Sequence, residues 1–277
     1  MPIHQAILNA FPELNDAQQM AVGHSDGPLL VIAGPGSGKT FVLVLRTLNL
    51  LLQELAEPRD ILLCTFTEKA AFELRDRISL YAKKVGYNGE LSELLIGTIH
   101  GICNDFIMRF RHRTVLGNSY EVLDDLTQAL FIFDHFDTII GPEDNEQYLC
   151  RWRTRWTAID GARNYFNKIT EELIDPTDLT QSQNPFLQAI GRAYTAYIET
   201  LFEYNRIDFA HQQKLFLSLQ NDPDVGITIS ERIRYILVDE YQDLNKAQIS
   251  LIRALASGNG QVFAVGDDDQ LIYSWRE

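Results

Sequence analysis

The sequence predicts an α/β fold, a parallel sheet flanked by helices and interrupted by a mainly helical insertion. Three observations predict it. Short apolar runs alternate with helix-length amphipathic segments up to about Arg109; the alternation stops between Arg109 and Asn205; and it resumes from Ile207 onward. Strands alternating with helices of that length read as βαβ units, whose strands run parallel.

The first apolar run, Leu29 to Ile32, leads into Ala33-Gly34-Pro35-Gly36-Ser37-Gly38-Lys39-Thr40 and then into a helix predicted over Val42 to Leu55. A glycine-rich turn that leaves a buried strand and opens a helix points backbone N–H groups and the positive helix end into one concavity, where they can hold a polyphosphate. This stretch is a P-loop, with Ala33 where the strict pattern has its first glycine. Gly34, Gly36, Ser37 and Gly38 are its cradle, Lys39 reaches the β/γ-phosphates and the Thr40 hydroxyl ligates Mg2+. Upstream, Asn15 can cap a helix with Gln18 three residues on, in a capping box. The Gln18 amide would also suit the Hoogsteen edge of adenine, but the local pattern favours the cap.

A second buried strand is expected at Ile61 to Phe66, and Thr67 then caps a helix over Glu68 to Val85 whose exposed face carries Lys69, Arg75 and Arg77. A third run, Leu94 to Ile99, leads into His100 and a helix to about Arg109. Between Arg109 and Asn205 only helical periodicity is found: Leu126, Leu130 and Phe133; Trp152, Trp156 and Ile159; Ile190, Tyr194, Tyr197 and Leu201. Two clusters there could suit nucleic acid, Arg109, Arg111, His112 and Arg113, and the alternation Arg151 to Trp156. Core packing by Trp152 and Trp156 with a solvated arginine face is the favoured reading of the second, and a solvated face that of the first.

The α/β pattern resumes with Asp208 capping a helix over Phe209 to Leu219, and then with Tyr235 to Glu240, an apolar strand that delivers two adjacent carboxylates, Asp239 and Glu240, at its C-terminal end. In open α/β sheets that edge is where ligands bind. Asp239 can hold Mg2+, and Glu240 can orient and deprotonate an attacking water. A last strand, Gln261 to Gly266, precedes Asp267-Asp268-Asp269-Gln270 and Tyr273-Ser274-Trp275-Arg276. Gln270 is an amide that would reach a γ-phosphate, and Trp275 an aromatic that could stack on a base.

Composition narrows the classes. The net charge of −14 is spread along the chain and excludes a broadly basic nucleic-acid binder, so any such site is a local groove using stacking and a few cations. Cys64, Cys103 and Cys150 lie far apart with no C-x-x-C, against a disulfide framework or zinc site and in keeping with a reducing compartment. No signal peptide and no membrane-length apolar run is visible, so the expected location is the cytoplasm.

Taken together these residues resemble the UvrD/Rep-type, superfamily 1A ATP-dependent DNA helicases. Leu14 to Val22 is similar to the family's Q motif, which implies that Gln18 reads adenine. Ala33 to Thr40 resembles motif I; Thr65 to Ala71 resembles motif Ia, with Glu68 where the family mostly has Asn; Gly97 to Gly101 resembles motif Ib, with Ile99 for the usual Phe. Ile207-Asp208-Phe209 resembles the segment re-entering the core; Val238 to Asp243 with Asn245 and Gln248 resembles motif II; Val265 to Gln270 through Arg276 resembles motif III.

The resemblance implies a RecA-like ATP-binding core (1A) over 1–108 and 206–277, and a 1B-like helical insertion over 109–205. ATP and Mg2+ are the implied cofactors, at Gln18, the P-loop, Asp239, Glu240 and Gln270. Single-stranded DNA is the implied partner, at Phe66, His100, Tyr273 and Trp275. Because the matched motifs end at motif III, the chain is expected to be the N-terminal half of a longer helicase whose remaining lobes carry motifs IV to VI. The alternative expectation is a free-standing nucleotide-dependent interaction module. A P-loop kinase is disfavoured, since Asp239-Glu240 supplies a water-activating carboxylate where a kinase needs an acceptor pocket.

Overall fold

The structure is a computed structural model that describes residues 2–25, 27–117, 119–141, 149, 154–258 and 260–267. Gln270, Tyr273 and Trp275, with Cys150, Arg151, Trp152 and Arg153, lie outside the described residues. By internal contacts the chain divides into two compact units, residues 1–102, 220–244 and 249–277, and residues 103–219 with 245–248.

In the first unit, α1 (Gln5–Ala10) and α2 (Asp16–Val22) precede β1 (Leu29–Ile32), α3 (Lys39–Leu52), β2 (Ile61–Thr65), α4 (Glu68–Lys84) and β3 (Leu95–Thr98). Thr67 caps α4 as the sequence predicts, its hydroxyl accepting from the Ala70 N–H at 3.1 Å. Helix α5 (Ile99–Arg109) carries the chain into the second unit, which contains β4 (Glu121–Leu123), α6 (Asp125–Asp134), α7 (Phe136–Ile139), α8 (Arg155–Glu171), α9 (Pro176–Thr180), α10 (Pro185–Glu203), β5 (Arg206–Asp208) and most of α11 (Phe209–Gln220). The chain then forms α12 (Pro223–Arg232), β6 (Tyr235–Val238), α13 (Lys246–Ala256) and β7 (Gln261–Gly266).

All five strands of the main sheet run parallel, in the order β1-β7-β6-β2-β3. Every residue of β2 and β6 is buried, as continuous apolar runs in the centre of a parallel sheet should be. Strand β1 departs from the expected buried run, because it is an edge strand: Leu30 and Ile32 are 49% and 57% exposed while Leu29 and Val31 pack on the core. Ten consecutive residues of α3, Val42 to Leu51, are buried against the sheet and its neighbours.

The second unit is helical around Ile190, Tyr194, Tyr197 and Leu201 of α10, all buried as their spacing predicts. Three expectations are corrected. The segment contains a strand, β4, which pairs in parallel with β5 (Val122 with Ile207) and is too short for an alternation signal. On α6 the buried face is Gln128, Ala129, Phe131 and Ile132, leaving Leu126 and Leu130 exposed. Trp156, in the first turn of α8, is 45% exposed rather than core, and stacks on Phe133 at 4.9 Å.

A polar centre lies inside this apolar unit. Asp208 Oδ2 accepts from the Tyr197 hydroxyl at 2.6 Å and from Gln128 Nε2 at 3.2 Å, and both carboxylate oxygens lie 2.9 Å from His211 Nδ1. The Asp208 cap is realised too, with the His211 backbone N–H donating to Oδ1 at 2.7 Å.

Candidate functional site

Strand order sets the site. The chain leaves β1, β7, β6 and β2 at the same edge of the sheet, so the turns after these four strands line up side by side. The P-loop follows β1, and the Ala33 N–H donates to the Gly266 carbonyl at 3.0 Å, extending the β1–β7 ladder into the loop. Gly36 and Gly38 have φ of 75° and 88°, left-handed values that glycine adopts without the Cβ clash other residues meet. Gly38 is the N-cap of α3, so the helix begins at Lys39 itself.

The Lys39 ammonium folds back over the loop. Nζ donates to the Ala33 carbonyl at 2.8 Å and pairs with Asp267 Oδ2 at 3.1 Å, and the aspartate side chain is only 2% exposed. Asp267 directly follows β7 and carries no role in the sequence reading. The signal that marks it is its place beside Gly266 at the end of a buried strand.

Thr40 Oγ1 donates to Asp239 Oδ2 at 3.4 Å. Burial pushes the Asp239 carboxyl up to about 6, the Glu240 charge adds to the rise, and the Glu240 N–H, the Thr40 hydroxyl and Lys39 oppose it. Glu240 sits in the left-handed region at φ 52°, an uncommon conformation for a non-glycine residue that costs about 1 kcal/mol or more. Its Oε2 accepts from Gln242 Nε2 at 2.8 Å. A cavity of about 340 Å³ is lined by Thr40, Thr65, Phe66, Asp239, Glu240 and Gln242 among others. The Thr65 hydroxyl is buried with no hydrogen-bond partner among the described residues, as expected of a group reserved for a water or ligand.

These residues fit a nucleotide and a hard divalent cation. The loop offers backbone N–H groups, a helix N-terminus and one ammonium to phosphate. Thr40 and Asp239 offer only oxygens, the donors that Mg2+ takes in ones and twos beside phosphate and water. The Asp239 shift also predicts a pH effect on the metal-free protein. A carboxyl whose folded value is raised stabilises the fold below its ordinary range near 3.8, and that contribution is lost as pH rises through about 6. Asp239→Asn is therefore expected to stabilise the metal-free protein at pH 7.5 by up to about 3 kcal/mol and by less at pH 5. Thermal melts at the two pH values check it, and a gain that does not shrink at pH 5 would contradict the account.

Gln18 meets the loop as well. Its amide completes the capping box with Asn15, and Nε2 donates to the Ser37 carbonyl at 3.0 Å. The structure thus brings Gln18, Gly34, Gly36, Ser37, Gly38, Lys39, Thr40, Asp239 and Glu240 to one edge, with Phe66 on the adjoining cavity. His100 stands in the first turn of α5, after the far edge strand β3, and does not line that cavity.

Comparison with known proteins identifies the family. The family model described as "UvrD/REP helicase N-terminal domain" matches residues 14–277. Three relatives are an ATP-dependent DNA helicase Rep of Buchnera aphidicola (34% identical, 95% of this chain, 39% of the relative), an ATP-dependent DNA helicase PcrA of Staphylococcus aureus (33%, 98% and 35%) and DNA helicase II of Escherichia coli (35%, 95% and 34%). The chain thus spans between 34% and 39% of the length of these relatives. With its parallel sheet, its P-loop and its paired carboxylates on the same sheet edge, the chain belongs to the UvrD/REP helicase N-terminal domain family.

Proposed function

We propose that this chain is the ATP-binding portion of an ATP-dependent DNA helicase or translocase acting on single-stranded DNA. The observation that carries the reading is the convergence of Lys39, Thr40, Asp239 and Glu240 on one sheet edge, from strands far apart in sequence. The loop amides and Lys39 hold the phosphates, and Gln18 lies beside the loop where the base would enter. Thr40 and Asp239 hold Mg2+, which when bound neutralises phosphate charge. Glu240 orients a water against the γ-phosphorus and accepts its proton as the bond to the β-phosphate oxygen breaks. Phe66 and His100 are the proposed DNA contacts among the described residues. Gln270, Tyr273 and Trp275 have their proposed roles from the family resemblance alone.

The proposed domain division is a 1A core over 1–108 and 206–277 and a 1B-like insertion over 109–205, with further lobes carrying motifs IV to VI. No helix among the described residues is long and apolar enough to cross a membrane. Arginines supplied from outside a P-loop site are worth roughly 10³ to 10⁵ in rate in related NTPases. Residues 1–277 alone are therefore expected to bind nucleotide with Mg2+ and to hydrolyse it very slowly with or without single-stranded DNA. Steady-state turnover measured across a DNA titration tests this, and DNA-stimulated turnover at the level of a complete helicase would overturn it.

A further inference from the structure

The side-chain amide of Gln242 is used at both ends. Nε2 donates to Glu240 Oε2 at 2.8 Å, and Oε1 accepts from the Asp267 backbone N–H at 3.0 Å. An amide is the group that can donate and accept at once from one short arm, and a glutamate at this position could only accept. The strand end is shaped around it. A Cβ built on Gly266 would stand 2.9 Å from Gln242 Oε1, closer than real Cβ atoms come, so the glycine keeps space for this amide. The N–H that Gln242 receives belongs to the residue whose carboxylate holds Lys39 at 3.1 Å. One side chain therefore ties the Glu240 carboxylate to the end of β7, beside the lysine of the P-loop.

We propose that Gln242 is a positioning residue for hydrolysis, holding the Glu240 carboxylate in place by an N–H donor that is itself anchored on the end of β7. The proposal rests on Glu240 as the group that orients the water. Glu240 needs such a hold. Its backbone is in a left-handed conformation just past the end of β6, and a carboxylate free to rotate would spend little time facing the γ-phosphorus.

The test uses residues 1–277 with Gln242→Glu, Gln242→Ala and Gly266→Ala. Three quantities are read in each: affinity for a fluorescent ATP analogue with Mg2+, the single-turnover rate with γ-32P-labelled ATP, and hydrogen exchange of the Asp267 amide. Gln242→Glu keeps the acceptor for Asp267 and loses the donor to Glu240. It is expected to slow the single-turnover step by about 10- to 100-fold, the usual cost of removing a group that orients a functional ligand, with nucleotide affinity changed by less than about twofold and Asp267 protection kept. Gln242→Ala should show the same loss of rate and also faster exchange at Asp267. Gly266→Ala should displace the amide and lower the rate with affinity retained. A Gln242→Glu rate equal to wild type, in a chain that binds and hydrolyses ATP, would overturn the positioning role alone. A wild-type chain that binds no nucleotide would instead sink the proposed function on which the positioning role rests.

Discussion

Replacing Glu240 with Gln is expected to slow single-turnover ATP hydrolysis by about 10²- to 10⁴-fold and to change ATP affinity by less than about twofold. The size follows from what is lost. An amide of the same shape still fills the space past β6, but it cannot take a proton from the attacking water. The binding side follows from geometry: among the described contacts the Glu240 side chain meets Gln242, whereas the proposed cradle consists of the P-loop amides, Lys39 and the Thr40–Asp239 pair. A parallel fall in affinity would mean that Glu240 belongs to the metal or phosphate site. An unchanged rate would remove it from the reaction.

Replacing Asp208 with Ala is expected to destabilise the second unit by about 3 to 5 kcal/mol, the usual cost of deleting one partner of a buried, charged network. Asp208 is 2% exposed, and its oxygens serve Tyr197, Gln128, the His211 ring and the His211 backbone N–H. Deleting the carboxylate removes the acceptor of the Tyr197 hydroxyl and of the His211 ring and backbone N–H, while Gln128 Nε2 keeps Asn167 Oδ1 at 2.8 Å. Burial pushes the Asp208 carboxyl up, but the His211 ring and the hydrogen bonds from His211 and Tyr197 outweigh it and hold it below the ordinary range. A depressed carboxyl contributes stability above its ordinary range and loses it as the pH falls through the folded value. The cost of Asp208→Ala should therefore be full at neutral pH and shrink under acid conditions below about pH 3.8. Chemical denaturation followed by tyrosine fluorescence checks both statements. A cost under about 1 kcal/mol at neutral pH would mean that water replaces the network without loss.

Much of the site is readable from the chain because its chemistry is local. The P-loop is eight consecutive residues between a strand and a helix, and Asp239-Glu240 ends a strand. What brings these stretches together is not local. Lys39 meets Asp267 only because β7 inserts beside β1, a pairing fixed by the register Ile32 with Gly266. Gln242 is visible as part of a motif, but its task depends on how close Gly266 stands. Capping and adenine reading were alternatives for Gln18 in the sequence, and the structure shows a capping box that also bonds the P-loop, so a local interaction and a site contact coexist in one amide. The insertion is less legible. Helix α6 carries apolar residues all round, so periodicity alone could not tell that Ala129 and Ile132 face inward while Leu126 and Leu130 do not. Strand β4 exists because β5 lies beside it, and three residues carry no pattern that announces this.

The central claim, that this sheet edge holds Mg2+ and ATP, is tested most directly by calorimetric titration of ATP into residues 1–277 with and without Mg2+, in the wild type and in Lys39→Ala. The account predicts one saturable site that needs Mg2+ and weakens by roughly 10- to 100-fold in the variant, the worth of a charge-assisted hydrogen bond of about 1.5 to 3 kcal/mol. Binding that is absent in the wild type, or equally tight in Lys39→Ala, would contradict it.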